Sequence, residues 1–252
     1  MARLDGKLVM VTGGASGLGR SGATLMHAEG ATVVITDVNT ALGIETAASI
    51  GDKCFFIEQD VSQMADWERV IDQVVSRYGR LDVLVNNAGI VVVADVEKTT
   101  VEDWRKVHSV GTDGTFFGIQ QAIGAMRKTG GGSIINMSSL AGMIGYPLIF
   151  AYSASKGAIR SMTKSAAVYC AQNSFDIRVN SIHPGTIATP MVAGFSADVE
   201  DQGEEKVKLK IGQPDDVGHM IVYLASDESK FISGSEFVID STASVTEGLV
   251  PG

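Results

Sequence analysis

The chain has 252 residues, of which 45% are hydrophobic and 19% charged, so it can bury one large core. Its formal net charge of −9 is spread along the sequence, which excludes nucleic acid as an expected partner because phosphate backbones attract basic surfaces. No apolar run reaches the roughly 18 residues of a membrane-spanning helix, and the charged first residues do not resemble a signal peptide. We therefore expect a cytoplasmic protein with no membrane partner.

Short apolar runs rich in β-branched residues alternate with longer stretches of helical period, a pattern typical of βαβ units around a parallel sheet. Seven such runs predict strands at residues 8–12, 32–37, 54–58, 81–86, 133–137, 177–182 and 236–240. Seven strands fit one continuous sheet. The pattern therefore predicts a single α/β domain over residues 1–252, with a seven-stranded parallel sheet flanked by helices.

The first predicted strand leads directly into a glycine-rich turn, and a helix begins near Arg20. Glycines let the backbone approach a pyrophosphate, while the N–H groups and dipole of a helix N-terminus favour the anion. The spacing differs from the G-x-G-x-x-G dinucleotide-binding fingerprint, so a purely structural turn is the alternative interpretation. The turn residues that we expect to bind a dinucleotide are Gly13, Ser16, Gly17, Leu18 and Gly19.

Asp37 ends the second predicted strand. Its distance along the chain from Gly19, the last glycine of the turn, is close to the roughly 20 residues expected for a ribose-binding carboxylate. Such a carboxylate accepts hydrogen bonds from both adenosine ribose hydroxyls and repels a 2′-phosphate. The next residues, Val38 and Asn39, offer no cation to offset that repulsion. The sequence therefore favours NAD over NADP, with a solvated turn aspartate as the alternative.

Three further helices are predicted from apolar periodicity and end signals. The first contains Trp67, Val70, Ile71, Val74 and Val75 at amphipathic spacing and closes at Gly79. The second starts at Thr100, where Asp103 completes a capping-box spacing, and ends near Gly130. The third is expected from about Tyr152 to Gln172.

Two cysteines, Cys54 and Cys170, lie far apart in apolar surroundings, which predicts buried free thiols rather than a disulfide. The four histidines and two cysteines show no metal-ligand spacing. No metal site is expected.

A polar group of three residues is expected at the carboxyl edge of the sheet, where open α/β sheets bind ligands. Tyr152 and Lys156 are four residues apart on a predicted helix, so their side chains share one face. Ser139 follows the fifth predicted strand at that edge. We therefore expect the three side chains to converge on one reacting group.

At this point the sequence resembles the short-chain dehydrogenase/reductase family over essentially its whole length. The motifs that carry the resemblance are residues 12–19, Asp60 with Val61, residues 86–89, Ser139, residues 152–156, and Pro184 and Gly185 with Thr189. The stretches INMSS, AYSASK, IRVNSIHP and LASDES are similar to bacterial hydroxysteroid and cyclic-alcohol dehydrogenases within it. The resemblance implies a single-domain, doubly wound Rossmann fold and a homotetramer in which the two long helices pair between subunits.

By that resemblance Tyr152 is the general acid and base, Ser139 binds the substrate oxygen, and Lys156 holds the nicotinamide ribose. A free tyrosine titrates near pH ~10, and the ammonium with oxidised nicotinamide is able to lower that pKa by roughly 2 to 3 units. Further positions carry over as cofactor contacts: Asp60, Val61, Asn87, Ala88, Gly89, Tyr152, Lys156, Pro184, Gly185, Ile187 and Thr189. Asn86 is expected to brace the sheet, and His183 to be a hydrogen-bonded structural histidine.

Two positions depart from the family pattern. Gly111 aligns with a catalytic asparagine that usually contributes to a water-mediated proton relay with the lysine. Three outcomes are open: water fills the gap, Ser109 or Thr112 substitutes, or turnover is impaired. After the last strand, the usual Asp-Gly-Gly is replaced by Asp240, Ser241 and Thr242.

The expected substrate wall is mainly apolar and offers no cationic cluster, which favours a neutral alcohol. Its members are Ser139, Leu140, Met143, Ile144, Tyr146, Tyr152, Met191 and Phe195. We expect residues 191–212 to form a lid, because a long polar loop inside a compact domain is usually functional or disordered. The leading hypothesis is NAD-dependent oxidation of cyclic alcohols or hydroxysteroids. Reduction of acyclic aryl ketones or keto esters, and a non-catalytic nucleotide-binding regulator, are the alternatives.

Overall fold

The computed structural model describes residues 2–193 and 210–245. Its strands are β1 (Leu8–Thr12), β2 (Thr32–Asp37), β3 (Cys54–Glu58), β4 (Val83–Asn86), β5 (Gly132–Met137), β6 (Ile177–Pro184) and β7 (Glu236–Ile239). They form one sheet in the order β3-β2-β1-β4-β5-β6-β7, and every neighbouring pair is parallel. The predicted Rossmann fold with a seven-stranded parallel sheet is confirmed.

The helices are α1 (Gly17–Ala28), α2 (Thr40–Ile50), α3 (Met64–Tyr78), α4 (Val101–His108), α5 (Gly114–Met126), α6 (Phe150–Gln172), α7 (Pro190–Ala193) and α8 (Pro214–Ala225). Side chains alternate between the two faces of each strand, so each face needs its own apolar layer. Val9 and Val11 pack with α1 and α8, whereas Met10 packs with α3, α5 and α6. In the described part of the chain, no helix combines the length and apolar character needed to cross a bilayer.

The predicted bounds of the first three strands match the structure, and the later bounds need correction. β4 begins at Val83 rather than at residue 81, and β6 continues two residues further, to Pro184. The helix expected from Thr100 does begin with a capping box between Thr100 and Asp103. It ends at Met126 rather than near Gly130, because Gly130 adopts a left-handed φ of 99° that ends helical geometry.

A second difference is a π-helical turn, Ser109–Asp113, which separates α4 from α5 within that predicted helix. Gly79 closes α3 at a φ of 77°, as its position predicts. The structure also contains α2, α7 and α8, three helices that the sequence analysis did not assign. α6 starts at Phe150, so Tyr152 lies in its first turn.

The residues that replace the usual glycines after β7 keep a glycine-like backbone. Ser241 has a φ of 49° and Thr242 a φ of 76°, both in the left-handed region. The Asp240 carboxylate accepts N–H bonds from Thr242 at 3.1 Å and from Ser244 at 2.7 Å. The turn has therefore been retained without glycine, at a strain of roughly 1 to 2 kcal/mol per residue.

Candidate active site

The glycine turn between β1 and α1 brings backbone to the carboxyl edge of the sheet. Gly13 and Gly17 adopt φ values of 62° and 53°, which other residues rarely reach. A Cβ on Gly13 would lie 2.9 Å from Ala88 Cα, so the approach requires glycine. Within the described chain, the Ser16 side chain makes no capping bond to α1, which leaves N–H groups of its first turn for an anion.

A cleft of about 370 Å³ runs along the carboxyl ends of the strands. It brings together most of the residues singled out from the sequence: Gly13, Ser16, Gly17, Leu18, Asp37, Asp60, Val61, Asn87, Ala88, Gly89, Ser139, Tyr152, Lys156, Pro184, Gly185, Ile187, Thr189 and Met191. Neighbours that were not singled out also line it: Val38, Gln59, Ile90, Val110, Met137, Ser138, Pro190 and Val192. Most of these follow a strand or a motif residue directly, and that adjacency was the available signal.

Several expected contacts lie outside this lining as the described residues define it. Gly19 is buried against the Gly13 carbonyl and allows close packing instead. Leu140 is buried beneath the cleft, because a short 3₁₀ helix, Leu140–Gly142, turns the chain inward there. The other expected wall residues outside the lining are Met143, Ile144 and Tyr146. Phe195 and most of the expected lid lie outside the described residues.

Asp37 points its carboxylate into the turn. Its Oδ2 accepts the Ala15 N–H at 3.2 Å and its Oδ1 accepts the Asn39 N–H at 3.0 Å. These bonds hold the side chain in place and leave lone pairs on both oxygens. The carboxylate is therefore oriented before any ligand arrives.

Two asparagines brace the neighbouring strand ends. The Asn87 amide donates to the Thr12 carbonyl at 2.9 Å and to the Gly13 carbonyl at 3.1 Å. Asn86 donates to Asn136 Oδ1 at 2.8 Å across β4 and β5. Asn86 thus braces the sheet, while Asn87 ties β4 to the glycine turn.

Ser139, Tyr152 and Lys156 meet at the centre of the cleft. Ser139 follows β5 and its Oγ accepts the Ala141 N–H at 3.1 Å. Ser139 and Tyr152 line the same cleft. Lys156 Nζ donates to the Met137 carbonyl at 2.8 Å and lies 5.4 Å from the Tyr152 ring centroid. One small oxygen atom of a ligand is therefore within reach of a hydroxyl and a phenol, with an ammonium behind them.

Burial acts on both titratable groups of this trio. It lowers the pKa of Lys156 to about 8. It raises the pKa of Tyr152, an effect that the hydrogen bond with Ser139 only partly opposes. The phenol is therefore not made acidic by its protein surroundings, and further positive charge is needed to make it a base near neutral pH.

The buried ammonium is expected to destabilise the folded protein. We predict that Lys156→Met raises the free energy of unfolding by about 1 to 3 kcal/mol at pH 7, because it removes a desolvated charge. The pKa of Lys156 is about 8 in the folded protein and 10.5 ordinarily. The difference in free energy of unfolding between Lys156→Met and wild type should therefore be largest below pH 8 and should disappear as the pH rises to 10.5. Urea unfolding from pH 7 to 10.5 measures it, with exposed Lys53→Met as control. A destabilised Lys156→Met protein would contradict the prediction.

Gly111 lies in the π-helical turn, directly against α6. A Cβ at this position would collide with Ser155 Oγ, which occupies the space where a side chain would begin. Thr112 Oγ1 donates to Ser155 Oγ at 3.0 Å and lies 2.9 Å from His108 Nδ1. Ser155 directly precedes Lys156, so this hydroxyl contact fixes the π-helical turn against the helix that carries the ammonium.

We predict that Gly111→Ala destabilises the protein by about 1 kcal/mol, although alanine normally favours a helix by about that amount over glycine. The collision displaces Ser155 and breaks its bond with Thr112. Gly124→Ala is the matched control, because a Cβ there meets open space among the described residues. In a Ser155→Ala background the penalty of Gly111→Ala should vanish, as a double-mutant cycle would measure. A stabilising Gly111→Ala in the wild-type background would contradict this packing.

Comparisons with known proteins identify the family of the chain. A family model described as enoyl-(acyl carrier protein) reductase matches residues 13–242. An NADP-dependent (R)-specific alcohol dehydrogenase of Lentilactobacillus kefiri is 47% identical, over 94% of this chain and 96% of that protein. A 3-beta-hydroxysteroid dehydrogenase of Comamonas testosteroni is 41% identical, over 95% and 96%. A cyclopentanol dehydrogenase of Comamonas sp. (strain NCIMB 9872) is 40% identical, over 95% and 98%.

These matches extend over nearly the full length of the relatives. The chain belongs to the short-chain dehydrogenase/reductase family, whose members are oxidoreductases that use nicotinamide cofactors.

Proposed function

We propose that the protein is an NAD-dependent dehydrogenase of hydrophobic secondary alcohols, which also reduces the corresponding ketones. The observation that carries the proposal is that Ser139, Tyr152 and Lys156 line one cleft together with the glycine turn and Asp37, with Lys156 Nζ 5.4 Å from the Tyr152 ring centroid. A phenol and a hydroxyl at one position can both hydrogen-bond a single carbinol or carbonyl oxygen. A nucleotide-binding regulator would have no use for this arrangement.

The residues present fit an NAD molecule. The glycine turn, closed to any side chain at Gly13, and the uncapped start of α1 would hold the pyrophosphate. Asp37 would accept the ribose hydroxyls, and the cleft beside it carries Ser16 and Val38 rather than a cation. The 47% identical relative is described as NADP-dependent, so cofactor preference has to be argued from these side chains.

When bound, oxidised nicotinamide would supply a hydride acceptor and a positive charge. In oxidation, Tyr152 Oη takes the hydroxyl proton of the alcohol while Ser139 Oγ hydrogen-bonds the same oxygen. Lys156 adds positive charge that favours the tyrosinate and would bind the nicotinamide ribose. In reduction, Tyr152 returns the proton to the carbonyl oxygen.

The cleft favours a neutral, apolar substrate. Ile90, Val110, Met191 and Val192 line it, and Lys156 is the single cationic side chain among the described lining residues. A carboxylate or phosphate substrate would lack a partner. We therefore propose cyclic alcohols or hydroxysteroids, the classes named in two of the relatives. Acyclic aryl ketones and keto esters form the second candidate class, since the 47% identical relative is described as an (R)-specific alcohol dehydrogenase and that description names no ring.

The test is a steady-state assay at the reduced-nicotinamide absorbance band. Cyclopentanol, cyclohexanol, a 3-hydroxysteroid and 1-phenylethanol are each offered with NAD and with NADP, and the matching ketones with the reduced cofactors. We expect turnover of at least one cyclic substrate with NAD preferred. Binding of NAD without turnover of any substrate would favour the regulator, and NADP preference would refute the cofactor assignment.

We also propose a homotetramer assembled partly through α4, α5 and α6. Large apolar side chains lie partly exposed on these helices: Trp104, Phe116, Phe150, Val168 and Tyr169. Exposed apolar surface of this kind marks association sites in soluble proteins. Sedimentation equilibrium is expected to give four times the chain mass of 26.5 kDa, and a monomer at micromolar concentration would contradict the assembly.

A further inference from the structure

His183 is a buried titratable residue that the proposed reaction does not use. It lies near the end of β6 with none of its surface exposed. Its Nε2 is 2.8 Å from Ser181 Oγ, and its Nδ1 is 3.3 Å from the Ser139 carbonyl oxygen. Both ring nitrogens therefore have partners, and one partner is the backbone of the serine in the catalytic trio.

These partners determine where the imidazole proton lies. A carbonyl oxygen only accepts hydrogen bonds, so Nδ1 must carry the hydrogen that bonds Ser139. In the neutral ring Nε2 is then an acceptor, which the Ser181 hydroxyl satisfies as donor. Burial lowers the pKa of His183, and this keeps the ring neutral near pH 7.

The hydrogen bond from His183 is made to the backbone turn that positions the Ser139 hydroxyl. The Ser139 carbonyl also accepts the Gly142 N–H at 3.0 Å, which forms the short 3₁₀ turn. The Ser139 Oγ is tied into the same turn through Ala141. Pro184 follows His183 directly in the chain and begins the segment that lines the cleft. The imidazole thus links the substrate-binding hydroxyl to the strand end that lines the nicotinamide half of the proposed site.

We propose that His183 is a positioning residue, whose Nδ1–H holds the Ser139 hydroxyl in register with Tyr152 and the cofactor segment. The proposal rests on the proposed alcohol dehydrogenase function. Reacting groups misplaced by about 1 Å lose up to about 100-fold in rate. Loss of this bond should therefore reduce kcat rather than ground-state binding.

The test uses two amide substitutions that differ in which ring nitrogen they imitate. The amide nitrogen of Asn overlies Nδ1 of histidine, whereas that of Gln extends toward Nε2. We expect His183→Asn to keep kcat within about 3-fold of wild type, and His183→Gln and His183→Ala to lower it about 10- to 100-fold. KM for the alcohol and Kd for NAD should change less than about 3-fold in all three variants.

Asn180→Ala is the matched control for loss of a buried polar side chain from the same strand. Asn180 bonds the Ile232 carbonyl at 2.9 Å and the Ser235 N–H at 3.0 Å, away from Ser139. It should lower the melting temperature without lowering kcat by more than about 3-fold. Equal losses of kcat in the Asn and Gln variants, or a kcat loss in Asn180→Ala as large as in His183→Ala, would overturn the positioning role.

A second measurement does not depend on activity or on any variant that folds poorly. In ¹⁵N-histidine-labelled wild-type protein at pH 7, His183 should show a protonated Nδ1 and an unprotonated Nε2. The opposite tautomer would overturn the inference. A wild-type protein that turns over no alcohol but shows the expected tautomer would refute the proposed function and leave the hydrogen bond to Ser139 established.

Discussion

Tyr152→Phe is expected to lower kcat for alcohol oxidation by about 10³- to 10⁴-fold, while Kd for NAD changes less than about twofold. Acid–base groups contribute about 10²- to 10⁴-fold to a rate, and the upper range applies because Tyr152 is the residue to which the proposed reaction assigns the substrate proton. Phenylalanine fills the same space and keeps the ring beside Lys156. The measurement is a steady-state rate at the reduced-nicotinamide band, with cofactor affinity from fluorescence titration.

Tyr78→Phe provides the control for loss of a tyrosine hydroxyl. Tyr78 lies at the end of α3, far from the cleft lining, and its hydroxyl is buried without a partner among the described residues. Its removal should leave kcat unchanged. If Tyr152→Phe kept more than about a tenth of wild-type turnover, the phenol would not be the proton acceptor and Ser139 or a water would have to take its place.

The sheet was predictable from the sequence because its strands are short apolar runs between clear turn signals. The first three strand bounds match since Leu8, Thr32 and Cys54 each begin a short run rich in apolar residues. That run is buried throughout β1, buried in the middle of β2 and mostly half-buried in β3. α2 and α8 were not assigned because their apolar residues are mixed with alanine and glycine, which weakens the periodic signal. Packing against the rest of the fold stabilises these helices, although the local sequence pattern does not predict them.

The cleft was predictable for a different reason: motif residues follow the carboxyl ends of strands, and parallel strands bring those ends to one edge. The expected apolar substrate wall was not predictable from the sequence. Leu140, Ile144 and Tyr146 lie in a turn, and its direction depends on tertiary contacts. Gly142 packs against the Lys156 backbone and sets that direction. The contact of Gly111 with Ser155 likewise joins two distant segments, and local pattern carries no information about it.

The opposite pKa directions of Tyr152 and Lys156 connect this geometry with the proposed chemistry. Burial opposes charge on either group, so a tyrosinate and an ammonium side by side would offset both penalties, and a positively charged cofactor would further favour the tyrosinate. Under the proposed function, the phenol would become a base only when the site is loaded. This dependence would protect the empty site from carrying a reactive tyrosinate.

Asp37→Asn is expected to narrow the preference for NAD over NADP by about 10- to 100-fold, chiefly by improving kcat/KM with NADP. A carboxylate and a phosphate about 4 Å apart repel by roughly 4 kcal/mol near a protein surface, and solvent reduces that further. Asparagine keeps one oxygen to accept a ribose hydroxyl or the Ala15 N–H but carries no charge. The measurement is the ratio of kcat/KM values for the two cofactors with one alcohol.

Asp37→Ala separates the charge of the carboxylate from its hydrogen bonds. It should raise kcat/KM with NADP, as Asp37→Asn does. In addition it should lose affinity for NAD, because no acceptor is left for the ribose hydroxyls. Adding Val38→Arg to Asp37→Ala should reverse the preference, since Val38 is 66% exposed and has room for a cation beside a 2′-phosphate. If the ratio were unchanged in both single variants, Asp37 would be a solvated turn residue, and the choice of cofactor would have to be made elsewhere in the cleft.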